Sequence, residues 1–404
     1  MTKWLVPAGA LATALACGVG HAGYVGYDSL FGLIWGRELA SGDAPSFEGT
    51  FSPAPHPLLN VVGALLSPLG ADAAADTIEL LALAALVLLA VAAYRLTATL
   101  FSPLAGALAA AILVTRPELL ALSLAAQFDV AFLALVLWAA ALAAPVPPRP
   151  TAAVSVLVVA GLLRPEAWLM AAAYVVYLRR PKLLALAAAA PVLWALHDLV
   201  LTGDPLFSLH WTSRFAERHE TGVGVADAPD LILDVTGAVV ALGGAAGWLL
   251  VSARDQKRVA LPAALFSVAV VPFLVYAALG LELYARFLLP AAAALAVLCA
   301  AAAAGWARAA SPLVALALAA SLPFTVADLI DVRSDAKDRA DREEKLVAAV
   351  KPRCDLIAVP TFREVPVLMH ALDLPQDRFT DRDVQAQVLI VTREGEEWRV
   401  IDAC

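Results

Sequence analysis

Residues Tyr27–Asn60 read YDSLFGLIWGRELASGDAPSFEGTFSPAPHPLLN. The stretch follows the first apolar segment directly, with an acid at its start, Asp28, and a histidine near its end, His56. It is the longest polar-containing interval in the first half of the chain. Nearly everything from Thr77 to Asp328 is apolar. Ordinary connections run to about 4–6 residues, so a loop of this length has a role beyond joining two helices. We read 23–57 as the first extramembrane loop and the centre of the chain's organisation. The segment after it, 57–70, then decides the topology.

The 404 residues are 61% hydrophobic, with a mean hydropathy of +0.79. Soluble domains are nearer 45–50% apolar. Many windows of about 20 residues lack charge, which is the length that crosses a bilayer core. The fold class is an all-α polytopic membrane bundle. A net charge of −8 argues against a nucleic-acid partner and leaves membrane lipid as the surrounding medium. Four cysteines are too few and too scattered for a zinc site. Cys17 and Cys299 fall in apolar segments and pack as small hydrophobes.

Candidate spans are 4–22, 77–97, 103–124, 127–144, 151–164, 166–178, 183–201, 231–252, 260–280, 285–306 and 311–328, about eleven in all. The first has a short basic start and an Ala-rich core, and reads as an uncleaved signal anchor. The segment 57–70 is short for a span and reads as a helix on or dipping into the outer interface. With the N-terminus cytoplasmic, Arg95, Arg149, Arg179, Arg180, Lys182, Arg254, Lys257, Arg258 and Arg308 then all fall on the cytoplasmic side, as the positive-inside rule requires. A full span at 57–70 would invert every later loop. This orientation gathers Asp28, His56, Arg164, Glu166, Glu282 and Arg286 at the outer face. Ionisable groups near spans are costly and mark function.

Two junctions repeat a motif, Arg116-Pro117-Glu118 and Arg164-Pro165-Glu166, each after a short apolar run. Proline there breaks or restarts a helix. The first pair reads as a structural ion pair closing a helix end; the second reads equally as that or as part of a site. From Asp331 the chain changes character. A charged run to Lys345 reads as a solvated helix face and is followed by alternating strand and helix signals, Leu356–Val359, Val365–Ala371, Val388–Val391 and Trp398–Ile401. The division is therefore a membrane domain at 1–330 and a small α/β domain at 331–404, outside the cytoplasm on the expected topology. If the first and last of these runs are neighbouring strands, Cys354 and Cys404 come close enough for a disulfide.

In order and spacing the chain resembles the GT-C superfamily of integral-membrane glycosyltransferases, nearest to the bacterial relatives of protein O-mannosyltransferases and to the aminoarabinose-lipid A transferases. The resemblance covers roughly Trp4 to Asp328. It rests on Tyr27-Asp28, on Pro55-His56-Pro57-Leu58, on Asp129 after an outward span, and on Leu163-Arg164-Pro165-Glu166. Gly203-Asp204-Pro205 and Tyr284-Ala285-Arg286-Phe287-Leu288-Leu289-Pro290 complete it. The family's basic-Pro-Pro-Leu has only one proline after the basic residue here, and Phe287 stands where the family has tyrosine.

The resemblance implies a bacterial inner-membrane enzyme of the cell envelope. It would move a hexose or pentose from a polyprenyl-phosphate donor to a glycan, lipid or protein acceptor. Asp28 matches the family's first-loop acid, a base or metal ligand. Chemistry agrees: a carboxylate takes the acceptor proton, and an arginine fork suits the departing phosphate. Arg286, beside Glu282, is placed for the phosphate, with Arg164 and His56 as second choices and Glu166 beside them; Asp28 and Arg286 are expected on one cavity. Other readings stand beside these. Asp28 and Asp129 each suit a helix N-cap, His56 an interfacial residue, and Asp204 a turn. His210, Trp211 and Arg214 read as loop surface. No cofactor is fixed by the residues, and a divalent metal ion through Asp28 stays open. A transporter or flippase, or a non-catalytic accessory protein, is the alternative. No internal repeat favours the transporter, and the charges cluster at one face.

Overall fold

The computed structural model describes residues 22–47, 52–218, 225–278, 284–350, 356–359, 361–380, 388–394 and 397–402, with 215–218 and 388–402 described by their backbone alone. The expected first span, Glu282, Cys354 and Cys404 lie outside the described residues. The helices in chain order are α1 (Tyr27–Ser41), α2 (Pro57–Leu66), α3 (Ala71–Leu100), α4 (Pro103–Val114), α5 (Pro117–Leu124) and α6 (Asp129–Ala143). Then come α7 (Pro150–Gly161), α8 (Glu166–Leu178), α9 (Leu184–Ala187), α10 (Ala189–Thr202), α11 (Phe207–Arg218) and α12 (Ala228–Thr236). The last membrane helices are α13 (Ala238–Ser252), α14 (Gln256–Ala278), α15 (Leu289–Ala301) and α16 (Ser311–Ala349). Proline opens α2, α4, α5 and α7, where its missing N–H costs nothing and its fixed φ suits the helix.

Five of the described stretches are long and apolar enough to cross a membrane, or seven if each bent pair counts as one span. The bent pairs are α4 with α5, at 56°, and the α12 and α13 region, at 103°. The first bend is the Arg116-Pro117 break. The second turns at Gly237, whose φ of 77° suits a residue without a side chain. At 1.5 Å per residue, α7 and α8 reach only about 18–20 Å, short of a bilayer core. Helix α16 runs unbroken past Asp331 to Ala349, so the charged run extends a span rather than starting a separate element; Arg339 and Glu343 brace it at 2.5 Å, a favourable i,i+4 pair.

The chain forms two compact units. Of the described residues, Ala82–Ser123 and Phe128–Val332 make the first, and the remainder makes the second. In the first unit α15 is buried along its whole length. It is mostly alanine, so neighbours approach its backbone closely. Gly244 lies against the Leu295 carbonyl and Gly247 against that of Leu298, leaving no room for a Cβ.

In the second unit α1 crosses α2 through glycines. Gly36 meets the Gly63 backbone, and Gly63 meets the Gly32 carbonyl. Helix α2 therefore packs on α1 along Pro57, Leu59 and Gly63, while Val61 and Leu65 face outward. An aromatic ladder supports α1 from below: Phe31 on Trp35 at 5.1 Å, and Trp35 on Phe47 at 4.8 Å. The C-terminal part of this unit holds strands β1 (Leu356–Ala358), β2 (Phe379–Thr380), β3 (Val388–Glu394) and β4 (Glu397–Asp402), with helix α17 (Val365–Leu372) after β1. The sheet order is β2-β1-β3-β4, with β1 parallel to both β2 and β3, and β4 antiparallel to β3. The strand adjacency that motivated a Cys354–Cys404 bond is absent, because β3 separates β1 from β4.

His370, on α17, hydrogen-bonds through Nε2 to the Ala71 carbonyl at 3.2 Å. Burial pushes its pKa below the usual histidine value, and the bond to Ala71 offsets this only in part. The fold therefore prefers the neutral ring, and the unfolded chain binds the proton better. His370 should leave stability intact above the unfolded value of about 6.5 and reduce it as pH falls below that value. Melting in detergent across this range should show the loss, and His370→Gln, which keeps a donor without titrating, should flatten it.

Candidate active site

The charges of the first unit converge on one buried carboxylate. Asp129 is the first residue of α6, 1% exposed, in a stretch from Leu119 to Pro148 with no other charged residue. The N-cap position belongs to Phe128, and no side chain caps the helix. The Asp129 carboxylate turns instead to two arginines. Arg164 Nη1 donates to its Oδ1, and Arg286 Nη1 donates to its Oδ2 at 3.4 Å.

Arg164 is almost fully enclosed, at 4% exposure. It ends the short run of α7, where its own N–H still reaches the Ala160 carbonyl at 2.9 Å. Pro165 turns the chain, so Glu166 meets the same guanidinium two residues on. Nη2 donates to Oε1 at 2.6 Å and Nε to Oε2 at 3.4 Å, a bidentate fork. Phe287 and Phe132 flank the guanidinium at 4.4 Å and 5.2 Å. Two carboxylates and two aromatic rings thus surround Arg164. Arg286 differs. It sits in the turn Ala285–Leu288 just before α15, over the Tyr284 ring at 4.8 Å, and its side chain is 23% exposed. Of the two arginines it is the one an incoming anion can reach.

Glu118 lies within electrostatic reach of Asp129 and Arg286. Its expected partner, Arg116, does not close on it; Arg116 Nη2 points to the Asp234 carbonyl at 3.5 Å. The two Arg-Pro-Glu motifs thus diverge in use: the second forms an ion pair, the first does not. Asp129, part of the resemblance but otherwise weighed from sequence as a cap, is the hub that sequence reasoning undervalued. A lone acid within an apolar run was the available signal.

Asp28 and His56 belong to the second unit. Asp28 is the second residue of α1, in its first turn and 8% exposed, where the helix dipole favours an acid. The N-cap is Gly26, so capping is not what Asp28 does. The approach to it is pinned to the segment after α5. Tyr24 and Gly26 donate backbone bonds to the carbonyls of Leu124 and Ala125 at 2.8 and 2.7 Å. Ser29 Oγ donates to the Ala126 carbonyl at 2.7 Å, and Ala126 itself is held at φ 46°, a strained setting for a residue with a side chain. His56 is the N-cap of α2. Asp204 does form a turn, accepting from the Leu206 N–H at 2.9 Å, with His210 at 2.6 Å. Trp211 is buried, stacked on Phe207 at 5.6 Å, not loop surface. Among the described residues no cluster of three or more His, Cys, Asp or Glu could hold a metal ion.

No family model and no curated protein sequence matches the chain. Solved structures do. ArnT from Cupriavidus metallidurans bound to undecaprenyl phosphate aligns with a TM-score of 0.61 at 16% identity, over 98% of this chain and 87% of that one. The same protein in the apo state aligns with a TM-score of 0.55 over the same shares. At this identity the likeness is one of fold, and it is the fold that the sequence resemblance implied.

Asp129 is the acid that pairs with both arginines. Asp129→Asn should lower stability by about 3–5 kcal/mol, the usual cost of removing one partner from a buried ion pair. Glu166→Gln should cost less, because Arg164 keeps Asp129. Thermal unfolding in detergent ranks the two, and Asp129→Asn with Arg164→Met should recover part of the loss. Equal melting of all three variants would refute the hub.

Proposed function

We propose that this chain is a membrane glycosyltransferase. It moves a sugar, a hexose or a pentose, from a polyprenyl-phosphate donor to a glycan, lipid or protein acceptor at the outer face of a bacterial inner membrane. The observation that carries this reading is Arg286: a cation tied to a buried carboxylate and, at 23% side-chain exposure, more accessible than Arg164. It occurs in a fold shared with a protein solved with undecaprenyl phosphate.

In this mechanism the Asp28 carboxylate takes the proton of the acceptor hydroxyl. The acceptor oxygen bonds to the anomeric carbon as that carbon's bond to the phosphate oxygen breaks. The electron pair leaves with polyprenyl phosphate, and Arg286 neutralises the charge that develops there. Arg164 and Glu166 act from behind by fixing Asp129, which aims Arg286. His56, at the N-cap position of α2 at the close of the first loop, and Glu282 complete the substrate-binding set. The basic loops favour a cytoplasmic N-terminus, which puts the α/β segment at 331–404 outside and requires about eleven crossings, several of them by broken or short helices.

Reconstituted protein given a radiolabelled polyprenyl-phosphate sugar and envelope lipid acceptors tests the reading. Asp28→Asn should reduce transfer by about a hundredfold or more while leaving polyprenyl phosphate bound. Arg286→Ala should weaken that binding by about 10- to 100-fold, the value of charge-assisted contacts to phosphate. Full transfer by both variants would sink the mechanism.

A further inference from the structure

The α/β segment at the C-terminus touches the first loop at three separate places and the start of α3 at a fourth, all inside the second unit. The Tyr27 ring, next to Asp28, meets the Phe362 ring edge to face at 5.3 Å. Ser52 Oγ, fully buried four residues before His56, shares its one hydroxyl proton between Gln376 Oε1 at 2.9 Å and the Ser46 carbonyl at 3.0 Å. Arg37, toward the far end of α1, pairs with Asp373 at 3.0 Å. His370 reaches Ala71.

These contacts are unequal. Asp373 is 84% exposed, and an ion pair in water contributes little. Phe362 and Gln376 stand on built supports. The turn Phe362–Glu364 is capped by Thr361, whose Oγ1 accepts from the Arg363 N–H at 3.2 Å and donates to Glu364 Oε2 at 2.5 Å. Glu364 is buried, and so are Val365, Leu368 and Met369 immediately after it. Gln376 is itself buried, at 7% exposure. One rigid patch thus grips the loop at both of its ends, beside Asp28 and just before His56.

We propose that Phe362 and Gln376 are positioning residues: the C-terminal α/β segment acts as a template that fixes where the first loop holds Asp28. This rests on the reading of Asp28 as the base. The segment touches neither the donor nor the acceptor in this role. It removes freedom from the loop, so its loss lowers the rate of the chemical step and leaves substrate binding alone.

Three measurements decide it. Phe362→Ala should lower kcat about ten- to a hundredfold with KM for donor and acceptor unchanged, and Phe362→Tyr, which keeps the ring, should restore it. Asp373→Ala, at the exposed contact, should leave kcat unchanged. In the Asp28→Glu background the carboxylate is already displaced, so adding Phe362→Ala should cost at most about twofold more; a merely structural residue would multiply its effect instead. Hydrogen exchange provides the arm that needs no transfer: amides of Tyr27–Phe31 should exchange faster in Phe362→Ala and in Gln376→Ala, with α15 unchanged. If Phe362→Ala does not fold, Gln376→Ala enters the same cycle in its place. A raised acceptor KM with unaltered kcat, or unchanged exchange in α1, overturns the template. If instead Asp28→Glu and Asp28→Asn both transfer at the parent rate, the base assignment falls, and the exchange result still reports whether the patch holds α1.

Discussion

Four charges in the first unit sum to zero and sit where water is scarce. Asp129 and Glu166 face Arg164 and Arg286. In an apolar bundle this is a requirement before it is a site, because a single unmatched charge there costs several kcal/mol. Helix α6 begins where it does so that its first residue reaches both arginines. Helix α7 stops short of Arg164, which meets the same carboxylate, and the turn before α15 delivers Arg286. The broken helices are therefore placed by the charges they carry. Each break leaves backbone groups to satisfy, and each lies against protein, where non-helical backbone is tolerated at membrane depth.

Much of this was legible in the sequence. Apolar runs marked the helices, and Arg164-Pro165-Glu166 marked a restart with an ion pair. The alternating signals after Leu356 marked a small sheet. Less visible was anything that depends on distant partners. Asp129 meets Arg164 and Arg286 across 35 and 157 positions, and no local pattern tells a capping acid from a hub. The first Arg-Pro-Glu looked like the second, yet its arginine points to the Asp234 carbonyl. That choice is made by the 103° turn at Gly237, which hydropathy alone reads as one straight span. The charged run to Lys345 was legible as a helix face, but its continuity with the span before it was not, because a change from apolar to charged residues marks a change of solvent and not the end of a helix.

The second unit shows a division of labour between small and large residues. Glycines let α1 and α2 touch at the backbone, which fixes their crossing without long side chains. Aromatics then set the rotation of α1: Tyr27, Phe31, Trp35 and Phe47 interlock in turn. The polar loop is ordered from within by Glu38, which accepts from the Ser46 N–H at 2.9 Å. The described part of this long loop is thereby packed like a small domain around α1.

The double tie on Asp129 bears on turnover. A sugar-loaded lipid phosphate is a diester with one negative charge, whereas the lipid phosphate left after transfer is a monoester carrying about 1.5 to 2. A bare arginine would hold the product more tightly than the substrate and would stall. Arg286 is not bare: Asp129 remains beside it as a resident anion, ready to take back the hydrogen bond as the product departs. Under the proposed chemistry the same carboxylate that makes the arginine affordable in the membrane also limits how long a spent carrier can stay.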